Sequence, residues 1–239
     1  MNSLKEIVNQ IEAEGFRGAH TLIFLIRYAA LSEDRELMAL IGNTMEDMST
    51  LPESPELLAA YREWNLATGR GAEIVRFLEE RSDGRTECMP WDYLDLYRET
   101  YDSEFLDKAI TGGEFILEHF HEMFDPANVY DIERPSFNSR VAVLYADLAR
   151  YTQDEKWIRA RDVQNRMIRL LADKYPTGVC YGLIALLGEE FGEQTVVCEG
   201  EVPAALAGFY APTTAIVYRP SDTPRVCLMK DGRLEEIVI

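Results

Sequence analysis

Apolar residues recur every three or four positions over most of this chain. The clearest series lies on one side of a single long helix and comprises Leu106, Ala109, Ile110, Gly113, Leu117, Phe120 and Phe124. A second series, over residues 22–29, is apolar on both sides and predicts a helix that is buried all round. Because such series continue to about residue 191, we predict a helical domain over residues 1–191.

Four short polar turns interrupt this pattern, each between an apolar helix end and a new amphipathic helix. They are Ser32-Glu33-Asp34, Thr68-Gly69-Arg70, Tyr101-Asp102-Ser103 and Thr152-Gln153-Asp154. Two helices joined by a short turn form an antiparallel hairpin. The turns begin at residues 32, 68, 101 and 152, and are therefore 36, 33 and 51 residues apart. The first two separations match a repeated helix-turn-helix unit, whereas the third indicates an insertion, which we place at residues 125–138.

The pattern changes after residue 192. Runs rich in β-branched residues at 195–198 and 213–218 predict strands, with a short helix over 203–209 between them. Asp231-Gly232 separates two further strand-like runs, 225–229 and 234–239, and this dipeptide is a strong hairpin signal. We therefore predict a second, small α/β unit over residues 192–239, packed on the helices.

Charge and composition narrow the classes of partner. The chain carries 42 acidic against 24 basic residues, a net charge of -18, which would repel a phosphate backbone and argues against nucleic-acid binding. The longest uncharged run, residues 202–218, is broken by Pro203 and Pro212 and is shorter than the roughly 20 residues of a membrane-spanning helix. We expect no membrane association.

The cysteines and the N-terminus indicate a cytoplasmic protein. No basic and apolar leader is visible at the N-terminus. The four cysteines, Cys88, Cys180, Cys198 and Cys227, are far apart and include no C-x-x-C pair. We interpret them as reduced, buried thiols.

A metal site is the other chemistry that histidines could suggest. His119 and His121 lie beside Glu118 and Glu122, yet two residues apart on a helix point about 200° from each other. Ligands on one helix need a spacing of three or four residues, so we interpret this segment as a solvated face. We expect no metal and no cofactor.

Several segments of the chain resemble one known family. They are residues 91–102 (WDYLDLYRETYD), Pro135-Ser136-Phe137-Asn138-Ser139, residues 148–154 (LARYTQD) and residues 196–200 (VVCEG). These are similar to the helical and C-terminal parts of the thioredoxin-domain-containing proteins of the YyaL and spermatogenesis-associated type. The similarity covers roughly residues 90 to 239.

The resemblance implies an α/α toroid of the six-hairpin type, a fold shared with several sugar-processing enzymes. The expected fold class is therefore mainly α, an α/α-hairpin array that forms a partial toroid, with a small C-terminal α/β unit. This chain departs from the family plan in three respects. It has no C-x-x-C of a thioredoxin domain, about ten helix candidates where a closed toroid has twelve, and Phe137 where the family has glycine.

Candidate ligand-binding residues lie on the longer connections, since short turns gather at one end of a hairpin array and function collects at the other. Residues 15–20, 88–92, 125–138 and 175–181 are expected to meet there. They supply His20, Trp91, Asp92, Tyr130, Asp131, Arg134, Ser136 and Asn138. An aromatic face can cover the apolar side of a sugar ring while carboxylates, amides and guanidinium groups bond its hydroxyls.

Each candidate has a structural alternative. Asp92, Ser136 and Asn138 are residue types that cap helices. Trp91 is suited to packing at a helix start, and Arg134 to an ion pair with a neighbouring acid. Asp131 is equally compatible with a solvated loop charge.

Three hypotheses of function remain open. The first is a non-catalytic or degenerate toroid protein that binds a carbohydrate-like ligand or a protein. The second is a sugar-processing enzyme, a hydrolase or epimerase-like protein, with Asp92 and either Asp131 or Glu133 as its carboxylate pair. The third is an interaction module that pairs with another copy or with a thioredoxin-like protein. The sequence singles out no catalytic residue.

Overall fold

The computed structural model describes residues 3–16, 18–48, 54–81, 88–207, 209–230 and 232–237, with the backbone alone at 78–81 and 207. The larger part of the described chain is helical. The helices of this part are α1 (Leu4–Glu14), α2 (Ala19–Leu31), α3 (Arg35–Met48), α4 (Pro55–Thr68), α5 (Ala72–Arg81), α6 (Pro90–Thr100), α7 (Ser103–Met123), α8 (Phe137–Thr152) and α9 (Glu155–Ala172). Two short 3-10 helices follow, Pro176–Gly178 and Gly182–Leu186, and α10 (Leu187–Phe191) continues directly from the second.

Each predicted polar turn joins two helices, which gives the hairpins α2–α3, α4–α5, α6–α7 and α8–α9. One residue in each turn adopts a left-handed backbone with φ between 55° and 71°, namely Glu33, Gly69, Tyr101 and Gln153. An aspartate at the next helix start then accepts a backbone N–H in three of the turns. The hairpins therefore follow from local sequence.

The helices divide into a buried and an outer set. Almost every residue of α2 and α8 is buried, as the double-sided apolar pattern predicts for α2, whereas α3 and α7 bury three residues each. The buried helix α2 packs on α4, and the buried helix α8 packs on α6. The 3-10 helix Gly182–Leu186 contacts both α8 and α2. No helix in the described ranges is both long and apolar enough to cross a membrane.

A four-stranded sheet follows α10. Its strands are β1 (Gln194–Glu199), β2 (Thr214–Arg219), β3 (Arg225–Lys230) and β4 (Arg233–Ile237), in the order β2-β1-β3-β4. β1 and β2 are parallel, and the short helix α11 (Ala204–Ala207) lies in their crossover. β3 and β4 form the predicted antiparallel hairpin. Within the predicted elements of this region, Gly208, Asp231, Val238 and Ile239 lie outside the described residues.

The sheet packs on the helices through one face. Val197, Ala215, Val217 and Cys227 share a buried cluster with residues of α6, α7, α8 and α9. Hydrogen bonds reinforce this packing, since the Tyr97 hydroxyl accepts the backbone N–H of Tyr218 at 2.9 Å. The C-terminal unit is thus in direct contact with the helical part.

All four cysteines are free thiols. Cys180, Cys198 and Cys227 are buried, as expected, but Cys88 is exposed. The prediction was wrong for Cys88 because this residue lies in the connection before α6 rather than in an element with a buried face.

The left-handed turn residues generate a stability prediction. Gly69 has a φ of 71° and nothing within 4 Å of an added Cβ, so Gly69→Ala introduces backbone strain without a clash. We expect the free energy of unfolding to fall by about 1 kcal/mol, measured by urea denaturation. Exposed Glu33 has a φ of 55°, and Glu33→Gly is the matched control. It should raise the free energy by about 0.5 kcal/mol, and a change of the same sign in both variants would contradict this account.

Candidate functional site

Two residues seven positions apart lie on the same side of each of α2, α4, α6 and α8. Seven residues are two helical turns, so the second residue lies about 10 Å further along nearly the same side. The pairs are His20 and Arg27, Glu56 and Glu63, Trp91 and Arg98, and Arg140 and Asp147. We call the first members the mouth layer, because they lie near the helix starts, and the second members the floor layer.

Arg140 joins three elements at the mouth layer. Its Nη2 donates to Oε1 of Glu56 at 3.4 Å. Its guanidinium carbon lies over the Trp91 ring at 5.3 Å from the centroid and over the Tyr181 ring at 5.9 Å. The Arg140 guanidinium therefore lies where the starts of α4, α6 and α8 meet. Tyr181, the residue before the 3-10 helix Gly182–Leu186, contacts the same group.

His20 completes the mouth layer from α2, but its ring is buried. Burial lowers the pKa of His20, Asp131 and Glu56 act to raise it, and Arg140 acts to lower it further. His20 is therefore an electrostatic neighbour of the other mouth-layer residues.

The floor layer consists of ion pairs between helices. Arg27 donates from Nε and Nη2 to Glu63, at 2.9 and 2.7 Å. Arg98 Nη2 donates to Asp147 at 2.6 Å, and Arg150 also donates to Asp147. Burial alone would raise the pKa of Asp147, but the adjacent Arg98 and Arg150 lower it overall.

The C-terminal unit contributes to the same floor. The Tyr210 hydroxyl donates to Oε1 of Glu63 at 2.5 Å, and Arg150 Nη1 donates to the Pro212 carbonyl at 3.0 Å. These contacts lie far from the mouth layer along α4 and α8. The segment before β2 therefore closes the lower end of the space between the helices.

Asp95 of α6 is open to solvent beside the floor layer. It accepts from Arg98 Nη1 at 2.9 Å, and 62% of its side chain is accessible. Desolvation nevertheless raises the pKa of Asp95, against the opposing effects of Arg98 and Arg27. We call the space between the mouth layer and the floor layer, beside Asp95, the recess.

Tyr181 connects the two layers across the recess. Its ring is half-buried, and burial raises the pKa of its hydroxyl. Asp95 raises that pKa further, whereas Arg140 of the mouth layer and Arg27 of the floor layer lower it. The phenol therefore lies within the field of both layers.

The structure brings together the predicted connections around Asp131. Its carboxylate accepts the backbone N–H of Ser136 at 2.7 Å and of Tyr181 at 2.9 Å, and its own N–H donates to the Gly178 carbonyl at 2.6 Å. Asp131 is buried rather than a solvated loop charge, and desolvation raises its pKa despite these donors. Arg17, within the predicted connection 15–20, lies outside the described residues.

Several predicted ligand residues have structural partners instead. Asp92 accepts the backbone N–H of Met89 at 2.9 Å and caps α6. Ser136 caps α8 by accepting the N–H of Ser139 at 3.1 Å. Asn138 is buried, and its side-chain oxygen accepts from Gln164 of α9. Asp92 and Ser136 have the capping role that the structural alternative describes, whereas Asn138 lies inside α8 and bonds α9 instead of capping a helix.

A separate groove lies beside the insertion. It has a volume of about 430 Å³ and is lined by residues that include Phe124, Tyr130, Arg134, Ser136, Phe137 and Asn138. Phe137 stacks on Phe120 at 6.1 Å between ring centroids and forms part of the groove wall. Exposed Arg134 makes no ion pair with any residue in the described part of the chain. None of the eight described layer residues lines this groove.

Trp91 is the predicted ligand residue whose ring contacts the Arg140 guanidinium. Sequence reasoning missed Glu56, Asp95 and Arg140, whereas Tyr181 lies in the predicted connection 175–181. A signal for two of them existed, because charged residues recur at a spacing of seven on helices that are otherwise apolar. Tyr210 carries no local signal, since its contact with Glu63 spans 147 residues.

The metal interpretation finds no geometric support on α7. His119 is half-buried, its ring stacks on Phe115 at 4.3 Å between centroids, and its Nδ1 lies 2.9 Å from the Phe115 carbonyl. Among the described residues, no group of three or more His, Cys, Asp or Glu could hold a metal ion.

Comparisons with known proteins add no assignment. A scan against protein-family models, a search of curated proteins and a search of solved structures found no match to this chain. The family resemblance therefore stays a prediction.

The two aspartates that share Arg98 generate a matched prediction. Asp147 has 5% of its side chain accessible and holds two arginines, so Asp147→Asn should lower the free energy of unfolding by about 3 kcal/mol. Asp95→Asn should lower it by less than about 1 kcal/mol, because this carboxylate is mostly in solvent. Both are measured by urea denaturation at pH 7, and equal losses would contradict the assignment of the floor layer.

The same pair gives a pH dependence. The pKa of Asp147 is lower in the folded chain than its ordinary value, so its stabilisation is present above about pH 4 and is lost as the pH falls through the folded pKa. The difference in stability between the wild type and Asp147→Asn should therefore narrow below about pH 4. Denaturation curves at pH 7, 4 and 3 test this, and a difference that widens in acid would contradict it.

Proposed function

We propose that this protein binds a small carbohydrate-like ligand in the recess and does not catalyse a reaction on it. The observation that carries this proposal is the combination of half-buried aromatic rings, Trp91 and Tyr181, with the accessible carboxylate of Asp95. A sugar ring presents apolar C–H groups on its faces and hydroxyls at its edge. The Trp91 and Tyr181 rings can cover the apolar faces, and Asp95 and Arg140 can form hydrogen bonds with the hydroxyls.

The state of the carboxylates supports binding over hydrolysis. Hydrolysis of a glycosidic bond uses two carboxyl groups that flank the bond. At the recess, Glu56 and Glu63 have 13% and 11% of their side chains accessible, and each pairs with an arginine. Asp147 is more buried still and holds two arginines. Asp95 alone among these four carboxylates is broadly open to a ligand.

One observation favours the enzyme as a second candidate. The raised pKa of Asp95 is a property of general acids, and this residue would be the one to donate a proton. The pair expected from sequence has little support, because Asp92 caps α6, Asp131 is buried and Glu133 lines the separate groove.

We also propose that the hairpins form part of an α/α toroid related to the family that the sequence resembles. Four successive hairpins support this, as does the alternation of buried helices, α2 and α8, with outer helices such as α7. The meeting of the starts of α4, α6 and α8 around Arg140 is a further point in its favour. Ligand binding at such helix starts would agree with function on the longer connections.

Calorimetric titration with a panel of mono- and oligosaccharides tests the binding proposal. We expect at least one sugar to bind, and Trp91→Ala to weaken its binding about three- to tenfold through loss of the aromatic face. Tyr93→Ala is the matched control, since Tyr93 lies on the same helix but stacks on Phe105 of α7 at 6.4 Å. It should leave the affinity unchanged.

Two outcomes would overturn the proposal. Binding of no sugar in the panel would remove the carbohydrate ligand. Recovery of a chemically altered sugar after incubation, detected by anion-exchange chromatography, would replace binding by catalysis, and loss of that conversion in Asp95→Asn would identify the proton donor.

A further inference from the structure

We infer that the ligand of the recess is an acidic sugar whose carboxylate is bound by Arg140. This inference rests on the proposed carbohydrate-binding function and adds the charge of the ligand. It depends on the difference between Arg140 and the other arginines of the recess.

The guanidinium groups of three arginines of the recess already make two or three hydrogen bonds each. Arg27 makes a two-point contact with Glu63. Arg98 donates to Asp95, to Asp147 and to the Tyr151 hydroxyl, at 2.9, 2.6 and 3.2 Å. Arg150 is buried between Asp147 and the Pro212 carbonyl. Each of these guanidinium groups is committed to holding helices together.

Arg140 is different because most of its donors are unused. A guanidinium has five N–H donors. Within the residues that the structure describes, the Arg140 guanidinium makes one hydrogen bond, the 3.4 Å contact with Glu56, which is at the long limit for such a bond. The group is half-buried, and none of its described nitrogen atoms is both fully buried and without a partner, so its remaining donors are open to solvent or to a ligand.

The Trp91 and Tyr181 rings hold this guanidinium in place. Stacking on aromatic faces restricts an arginine side chain and leaves the edge of its planar fork, where the N–H groups lie, available to an acceptor. The side-chain entropy that an ordinary surface arginine loses on binding is therefore partly lost already on folding. A planar fork of this kind matches a carboxylate with two parallel hydrogen bonds.

The helix starts favour the same charge. Glu56 and Trp91 are the second residues of α4 and α6, so the positive ends of these helix dipoles lie beside Arg140. The chain as a whole carries a charge of -18 and would repel anions elsewhere on its surface. Arg140 and the two helix ends thus offset part of this negative charge at the mouth.

The balance of charge at the mouth selects a carboxylate over a phosphate. Glu56 lies next to Arg140 and Asp95 is accessible nearby in the recess. Because Arg140 already pairs with Glu56, the single negative charge of a carboxylate meets less repulsion from Glu56 and Asp95 than the larger charge of a phosphate dianion. We therefore assign the site to a sugar acid and not to a sugar phosphate.

Matched sugars test this assignment directly. Calorimetric titration compares glucose with glucuronate and galactose with galacturonate, and glucose 6-phosphate serves as the phosphate arm. We expect the preferred uronate to bind at least about tenfold more tightly than its neutral partner at low salt. Raising the salt concentration should weaken the uronate more than the neutral sugar.

Variants of Arg140 should change that ratio. Arg140→Met should bring the uronate-to-neutral affinity ratio close to one, and Arg140→Lys should give an intermediate ratio because it keeps the charge but loses the fork. Arg134→Met is the matched control, an exposed arginine of the groove outside both layers, and should keep the wild-type ratio. Circular dichroism verifies that each variant is folded.

Glu56→Gln provides a test that misfolding cannot imitate. It removes the carboxylate that competes for Arg140, so glucuronate or galacturonate should bind several-fold more tightly than to the wild type. Equal affinities for neutral and acidic sugars, or an unchanged ratio in Arg140→Met, would overturn the acidic ligand and leave the carbohydrate proposal standing. Preference for glucose 6-phosphate would overturn the carboxylate, and binding of no sugar at all would overturn the proposed function itself.

Discussion

The buried ion pairs of the floor layer constrain the arrangement of four helices. A charge removed from water is costly unless a partner compensates it, and Arg27 lies in α2, one of the most apolar helices of the protein. Its partner Glu63 must therefore come from α4 at a fixed height along both helices. Asp147 places the same requirement on α6 and α8 through Arg98. Apolar packing alone tolerates sliding between helices, but these pairs allow one register.

The register of the floor-layer ion pairs also fixes the positions of the mouth-layer residues. Because the mouth-layer residues lie seven positions before the floor-layer residues, alignment of one layer aligns the other. Arg140 then reaches Glu56 and the Trp91 ring without a strong ion pair of its own. The floor layer stabilises the packing of the helices, whereas the mouth layer contains the Arg140 guanidinium, most of whose N–H donors have no protein acceptor among the described residues. This division explains how a protein can hold many charges inside and still present one of them to a ligand.

The sequence predicts the hairpins well because their signals are local. The left-handed residues Glu33, Tyr101 and Gln153 are each followed directly by an aspartate cap, and no distant contact is needed to interpret them. The β3–β4 hairpin is local in the same sense. The site was predicted less well, since a cap and a ligand residue have the same composition. Ser136 and Asp92 are polar residues at helix starts in either case, and only the position of the backbone N–H distinguishes them.

The contact between Tyr210 and Glu63 has a consequence for synthesis of the chain. These residues are 147 positions apart, so the helices of the floor leave the ribosome long before the tyrosine that covers them. Synthesis proceeds at about 5–20 residues per second. Glu63 and Arg27 therefore lack the contact with Tyr210 for several seconds or more. The contact that covers Glu63 therefore forms only after Tyr210 has been synthesised.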